Sequence, residues 1–230
     1  MLDDGIDASN YRFAWSITNT TGRIALSSAL QNPTLAFPSA GRYSVKLVVT
    51  AAATGDVVFT DEIAGGLVVA PAIAYVRADG GHEYPVDTEA TASTNVAAAF
   101  ADLMGGSVLD IGAGEFTITS QIRIMEPITI RGRGMGATTL RLQSSGTSRV
   151  LYINDPGACV SNLTVTGGKV SGTDVFGGLG IYIDGSGGTV EGCRITDNVG
   201  SMNSGGAGVF VASTRGVLRR CVIDVFAQTH

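Results

Sequence analysis

Five aspartates, Asp155, Asp174, Asp184, Asp197 and Asp224, lie in the second half of the chain, Asp155 and Asp197 beside asparagine and Asp184 beside glycine. They are the groups from which acid–base chemistry on a sugar would have to be built. Hydrolysis of a glycosidic bond needs two carboxyls separated by about 5 to 9.5 Å. A lyase needs instead a base near an α-proton and a cation or metal to hold the sugar's carboxylate. Lys169, Arg194 and Asp197 fall near the ends of successive short apolar runs, so a coiled chain would gather them near one corner. Turn aspartates commonly bond their own backbone, and no catalytic residue is assigned from this set.

Metal and thiol chemistry are disfavoured by spacing. Cys159, Cys193 and Cys221 lack the paired short spacing of a zinc site, and His82 and His230 lie far from them in sequence. An odd count of cysteines is not a closed disulfide framework, so the three are read as small buried apolar residues. No metal site and no cofactor are predicted, and calcium is not legible in the sequence. His82, in DGGHEYP, has no partner carboxylate or serine in a motif and is read as a surface loop residue.

Three aromatic residues stand out by their position. Leu151-Tyr152-Ile153, Ile181-Tyr182-Ile183 and Val209-Phe210-Val211 are equivalent triplets spaced 30 and then 28 residues apart. If the flanking aliphatics face inward, Tyr152, Tyr182 and Phe210 form an outward column of rings, and exposed rings are platforms for the apolar face of a sugar. With inverted parity, or under a covering loop, they would form an interior stack instead.

The elements that position these residues follow from the same period. A second run keeps the same step: Val160 to Val165, Val190 to Ile195 and Leu218 to Ile223. Short apolar runs recurring at a fixed period with glycine at the corners are the signature of a parallel β-solenoid, whose coils stack about 4.8 Å apart. The register predicts two interior ladders, Leu163 over Cys193 over Cys221 and Val165 over Ile195 over Ile223. Gly132-Arg133-Gly134-Met135-Gly136 is read as a solenoid corner, because a β run and not a helix follows it. Upstream, Thr94 is expected to cap a helix over about 94–104, with Val96, Phe100 and Leu103 on one face and Gly105-Gly106 as the stop.

Residues 12 to 70 have a different texture. Arg12 to Ile17, Thr34 to Phe37, Tyr43 to Thr50 and Asp56 to Ile63 read as short strands, and Tyr43, Val45, Leu47 and Val49 alternate with period two. A small antiparallel β-sandwich is predicted for residues 1–70, with Val68 to Val76 running as a linker into a second domain over 71–230.

Trp15 in YRFAWSI and the run FPSAGRYSVKLVVT resemble a polycystic-kidney-disease (PKD) type, immunoglobulin-like module, though TNTTG at Thr18 to Gly22 replaces that family's Gly-Asp-Gly. The usual first strands of such a module would lie upstream of Met1. Residues 75 to 225 resemble the right-handed parallel β-helix, or pectin-lyase-like, superfamily, through the opening strand, the helix, the Gly-Ala-Gly-aromatic turn at Gly112 to Phe116 and the ITIRGRGMGATTL coil. That resemblance implies a helix closing the solenoid's end. ITDN (Ile195 to Asn198) and SGGAGVFV (Ser204 to Val211) are also similar to repeats of bacterial adhesin-like passengers. The superfamily's paired aspartates beside Gly-His-Gly, its Arg-Ile-Lys run and its lyase arginine motifs are missing here.

Composition bounds the partners. Of 230 residues 44% are hydrophobic and 15% charged, with 32 glycines, which fits a turn-rich globular chain. A formal charge of −5 argues against nucleic acid or an anionic membrane surface, and no apolar run approaches the roughly 20 residues of a membrane helix. The expected protein is an extracellular or cell-surface, non-catalytic β-helix that binds a polysaccharide or surface glycan, or serves as an adhesin-like scaffold. The alternative is a polysaccharide lyase or glycoside hydrolase with part of its site in coils outside this sequence. Self-association through an open last coil near Cys221 to Val225 is also expected.

Overall fold

The computed structural model describes residues 8–20, 22–143, 148–169, 177–200 and 206–224; Asp174 and His230 lie outside them. The chain's contacts divide into two units, Met1–Pro71 and Ala72–His230.

The first unit is one antiparallel sheet. Strands β1 (Tyr11–Asn19), β2 (Ile24–Ser28), β3 (Gly41–Ala51) and β4 (Val57–Val69) are ordered β2-β1-β3-β4. The register sets Phe13 opposite Val49, Trp15 opposite Leu47 and Ile17 opposite Val45, so the period-two alternation builds one apolar face from cross-strand pairs. Ile17 and Tyr43 are buried there, and the Phe37 ring packs on Tyr43 with centroids 4.9 Å apart. A second sheet facing this one is not among the described residues.

Two strand expectations change. Thr34 to Phe37 is loop, because Pro33 and Pro38 bracket it and each removes a backbone donor a ladder would need. Ile24–Ser28, whose half-polar sequence carries little alternation, is a strand paired to β1. The expected linker shrinks to Ala70–Ala72, since Val68 and Val69 end β4 and Ile73 opens the next strand.

The second unit is a parallel β-solenoid. It begins with β5 (Ile73–Val76) and helix α1 (Val96–Ala101), followed by β6 (Val108–Ile111), β7 (Gly114–Ile118) and β8 (Ile122–Ile124). The next two coils are β9 (Thr129–Arg131), β10 (Thr138–Leu142), β11 (Leu151–Ile153), and β12 (Cys159–Ser161), β13 (Thr164–Thr166), β14 (Ile181–Ile183). Then come β15 (Gly188–Glu191), β16 (Arg194–Ile195), β17 (Val209–Val211), β18 (Gly216–Arg219) and β19 (Val222–Ile223). Three sheets result, ordered β18-β15-β12-β9-β6-β5, β19-β16-β13-β10-β7 and β17-β14-β11-β8. Gly132 to Gly136 turns the chain between β9 and β10, as a corner.

Each expected long run, such as Val160 to Val165, is two strands bent at a left-handed residue. Asn162 (φ 56°), Gly192 (φ 61°) and Arg220 (φ 55°) hold this corner in successive coils. The bend redirects the chain from one sheet to the next without losing register. Val165, Ile195 and Ile223 are direct register partners, and Leu163 and Cys193 are fully buried, with Cys221 packed on the same core. The cysteines are free thiols. Burial pushes the Cys193 thiol up to about 12. Cys159 is only half-buried, because its neighbour Val160 takes the inward position of β12.

Helix α1 is six residues long, shorter than expected, and its N-cap is Asn95 rather than Thr94. The Asn95 Oδ1 accepts the Ala98 N–H at 3.0 Å, and the chain leaves the helix at Asp102, where Leu103 N–H donates to the Phe100 carbonyl at 3.1 Å. Val96 and Ala99 enter the solenoid core, and the helix packs on β5, β6 and β7. No helix among the described residues is long and apolar enough to cross a membrane.

A stacked column of guanidinium and rings as the candidate site

In the sheet β17-β14-β11-β8 every strand is three residues long, and in β8, β11 and β14 the first and third residues line the core. Ile122 and Ile124, Leu151 and Ile153, and Ile181 and Ile183 are buried, so the middle residue of each strand points outward. The register then stacks Arg123, Tyr152, Tyr182 and Phe210 in one column, each a parallel partner of the next. Three steps of about 4.8 Å make the column roughly 14 Å long.

The rings lie nearly parallel. Tyr152 and Tyr182 have centroids 5.7 Å apart with planes 3° from parallel, and Tyr182 and Phe210 are 5.4 Å apart at 15°. The Arg123 guanidinium carbon sits 4.2 Å from the Tyr152 centroid, and that of Arg149 sits 4.7 Å from the Tyr182 centroid. The faces of Tyr152 and Tyr182 are therefore engaged along the stack, which leaves ring edges, polar tips and the far side of Phe210 to meet a ligand.

The Tyr152 hydroxyl donates to Asp184 Oδ2, while Asp184 Oδ1 accepts the Gly185 N–H at 2.8 Å. The hydrogen bond from Tyr152 holds the Asp184 carboxyl below the usual range, and the same bond raises the Tyr152 phenol. Among the described residues the Tyr182 hydroxyl has no hydrogen-bond partner, and no carboxylate lies within ion-pair distance of the exposed Arg123.

Backbone contacts bring the Lys169 corner beside Asp197 and Val199, where Lys169 bridges Val199 and the Gly168 carbonyl accepts the Val199 N–H at 2.8 Å. Lys169 is exposed and exchanges two backbone hydrogen bonds with Ser148, at 2.7 and 3.0 Å. Arg194 Nε pairs with Asp224 Oδ2 at 3.2 Å, on the neighbouring coil. Asp197 is an exposed corner residue with φ 53°, and its carbonyl accepts the Gly167 N–H. Asp155 likewise accepts the Gly157 N–H at 2.8 Å, the turn role its position suggested.

Two polar clusters are invisible in the sequence. Asp110 on β6 is 1% exposed, and its carboxylate accepts from Arg77 at 2.8 Å, from Arg131 at 2.7 Å and from Arg133 at 2.7 Å. Arg77 is shared with Glu89. Burial pushes the Asp110 acid up, but the hydrogen bonds of Arg131 and Arg77 and the charge of Arg133 outweigh it, so the net shift is downward. The second is Ser93, whose Oγ lies 3.0 Å from His82 Nδ1. Ser93 is buried and its hydroxyl also donates to the Asn95 carbonyl, so this pair braces the start of α1 and offers no accessible nucleophile.

Glu89, Asp110, Glu115 and Asp184 are all held below their ordinary values, mostly by arginine, the opposite of the raised acid that protonates a leaving sugar oxygen. Compared with protein families, curated proteins and solved structures, the chain matches none of them.

Proposed function

We propose that this protein is a non-catalytic β-solenoid that binds an extended surface polysaccharide along the column Arg123–Tyr152–Tyr182–Phe210, and that it works outside the cell. The observation that carries the reading is the in-register stacking of three rings on the outward face of one sheet. Such a column gives a repeating polymer a repeating set of contacts, with aromatic edges, a partnerless phenol and a terminal ring face. The resemblance to pectin-lyase-like and adhesin-like coils supports a glycan ligand, and the PKD-like strands support a surface setting. In the same reading α1 closes the N-terminal end of the solenoid. The lyase or hydrolase alternative draws on the fold resemblance alone.

A glycan array followed by affinity electrophoresis tests the reading. Tyr182→Ala is expected to weaken retention by about tenfold, or about 1.4 kcal/mol, while Tyr182→Phe keeps the stack and loses only the hydroxyl. Unchanged retention in both Tyr182→Ala and Phe210→Ala, with melting curves showing both folded, would remove the column as the binding surface.

A further inference from the structure

We infer that Arg123 is the anion-selecting end of the column, and that it takes a carboxylate or sulfate ester carried on the bound glycan. The inference rests on the glycan-binding reading above and names the ligand's charge class. Arg123 makes no ion pair among the described residues, although the Asp184 carboxylate feels its charge. Arg77, Arg131 and Arg133 converge on Asp110, Arg141 pairs with Glu115, Arg194 with Asp224, and Arg219 and Arg220 with Glu191. Arg149 donates to the Gly177 carbonyl. Arg123 instead lies exposed with its guanidinium 4.2 Å from the Tyr152 centroid.

Lying over the ring restrains the guanidinium and leaves N–H groups free to donate. A guanidinium restrained in advance loses less rotamer entropy when it forms a two-point hydrogen bond to an oxyanion. Asp184 feels the charge of Arg123 and accepts from Tyr152 and Gly185, but it makes no ion pair with the guanidinium, whose hydrogen-bonding edge stays open to a ligand oxyanion. The two groups are also tied together: Tyr152 lies under the guanidinium and orients Asp184, so the column presents its cation at one end and its apolar ring, Phe210, at the other. A polymer with an anionic substituent therefore has a preferred direction along the solenoid.

The test uses one backbone in three forms: a neutral dextran, its carboxymethyl derivative and its sulfate ester. Titration calorimetry of the intact chain is expected to show at least about tenfold tighter binding of one or both charged forms, with the preference falling as salt rises. Arg123→Gln is expected to abolish the preference, bringing charged and neutral forms to the same affinity, with a melting curve showing that the variant is folded although its contact with the Tyr152 ring is gone. Arg123→Lys should retain part of the preference without its two-point geometry. The carboxymethyl and sulfate arms identify which oxyanion is read. Equal affinity for neutral and charged forms, or a preference that survives Arg123→Gln, overturns the inference. The binding column itself would still stand if Tyr182→Ala lowered affinity for all three. Failure of every form to bind overturns both.

Discussion

Asp110 is the residue on which the first turn of the solenoid most depends. Its carboxylate is buried and accepts from three arginines. Asp110→Asn would leave those cations facing a neutral amide, at a cost of about 1–3 kcal/mol, since Arg131 and Arg133 stay partly solvated and Arg77 keeps Glu89. Because the folded acid is held below its ordinary value of 3.8, its contribution is fully present above that value and is lost as pH falls through the lower folded value. Urea unfolding at pH 7 and pH 3 should therefore show a loss in the native chain that is much smaller in Asp110→Asn. Equal acid sensitivity of the two would show that Asp110 is not the group responsible. Nothing in the sequence marks this residue, since its partners lie 33, 21 and 23 positions away and meet it only when coils stack. Carrying the repeat register one coil upward would have set Asp110 over Arg131, because both occupy the position of Ser161, Glu191 and Arg219.

At the scale of the elements, the coil repeat was readable because glycine and aliphatic residues recur where the chain must turn or fill the core. What the letters could not separate was a straight run from a bent one. Asn162, Gly192 and Arg220 are unlike in chemistry and identical in backbone role, so a corner shared by three residue types leaves no letter signature. Helix length failed for a similar reason, as the local pattern over 94–104 carries no mark of where tertiary packing releases the chain. The column of rings was legible because its parity follows from the flanking aliphatics, whereas Ile122-Arg123-Ile124 carries the same flanks without a ring at its centre. Close approach between coils gives a sharper test. A Cβ on Gly168 would stand 2.0 Å from the Leu179 carbonyl oxygen, whereas one on Gly136 would meet nothing within 4 Å. Gly168→Ala is expected to cost about 1–3 kcal/mol, since the obstructing group is backbone, and Gly136→Ala to stay within about 0.5 kcal/mol. Thermal melts of the two variants side by side read the difference, and equal melting points would mean the coil spacing yields more easily than packed backbone should.

Across the whole solenoid, stability is a sum of coil-to-coil contacts, so a coil with a neighbour on one side only is held by half as many. The exposure of matching core positions shows this directly: Ile195 is 0% exposed and its register partner Ile223 is 43%, while Ile183 is 0% and Val211 is 40%. Among the described residues no strand pairs beyond β17, β18 or β19. Amides of these strands should exchange with solvent faster than those of β11 and β12, whose coils are covered on both sides. Fully covering one such aliphatic side chain gains roughly 1.5–3 kcal/mol, and a free edge offers hydrogen bonds to any strand that reaches it. The matching coil of a second copy presents the same three short strands and the same part-exposed aliphatics, Val211 and Ile223. We therefore expect the chain to associate as concentration rises in sedimentation velocity, and Ile223→Lys, which sets a charge at the edge, to suppress that association. A species that sediments as a monomer throughout, with β17 to β19 as well protected as β11 and β12, would mean that the end is closed from within the chain.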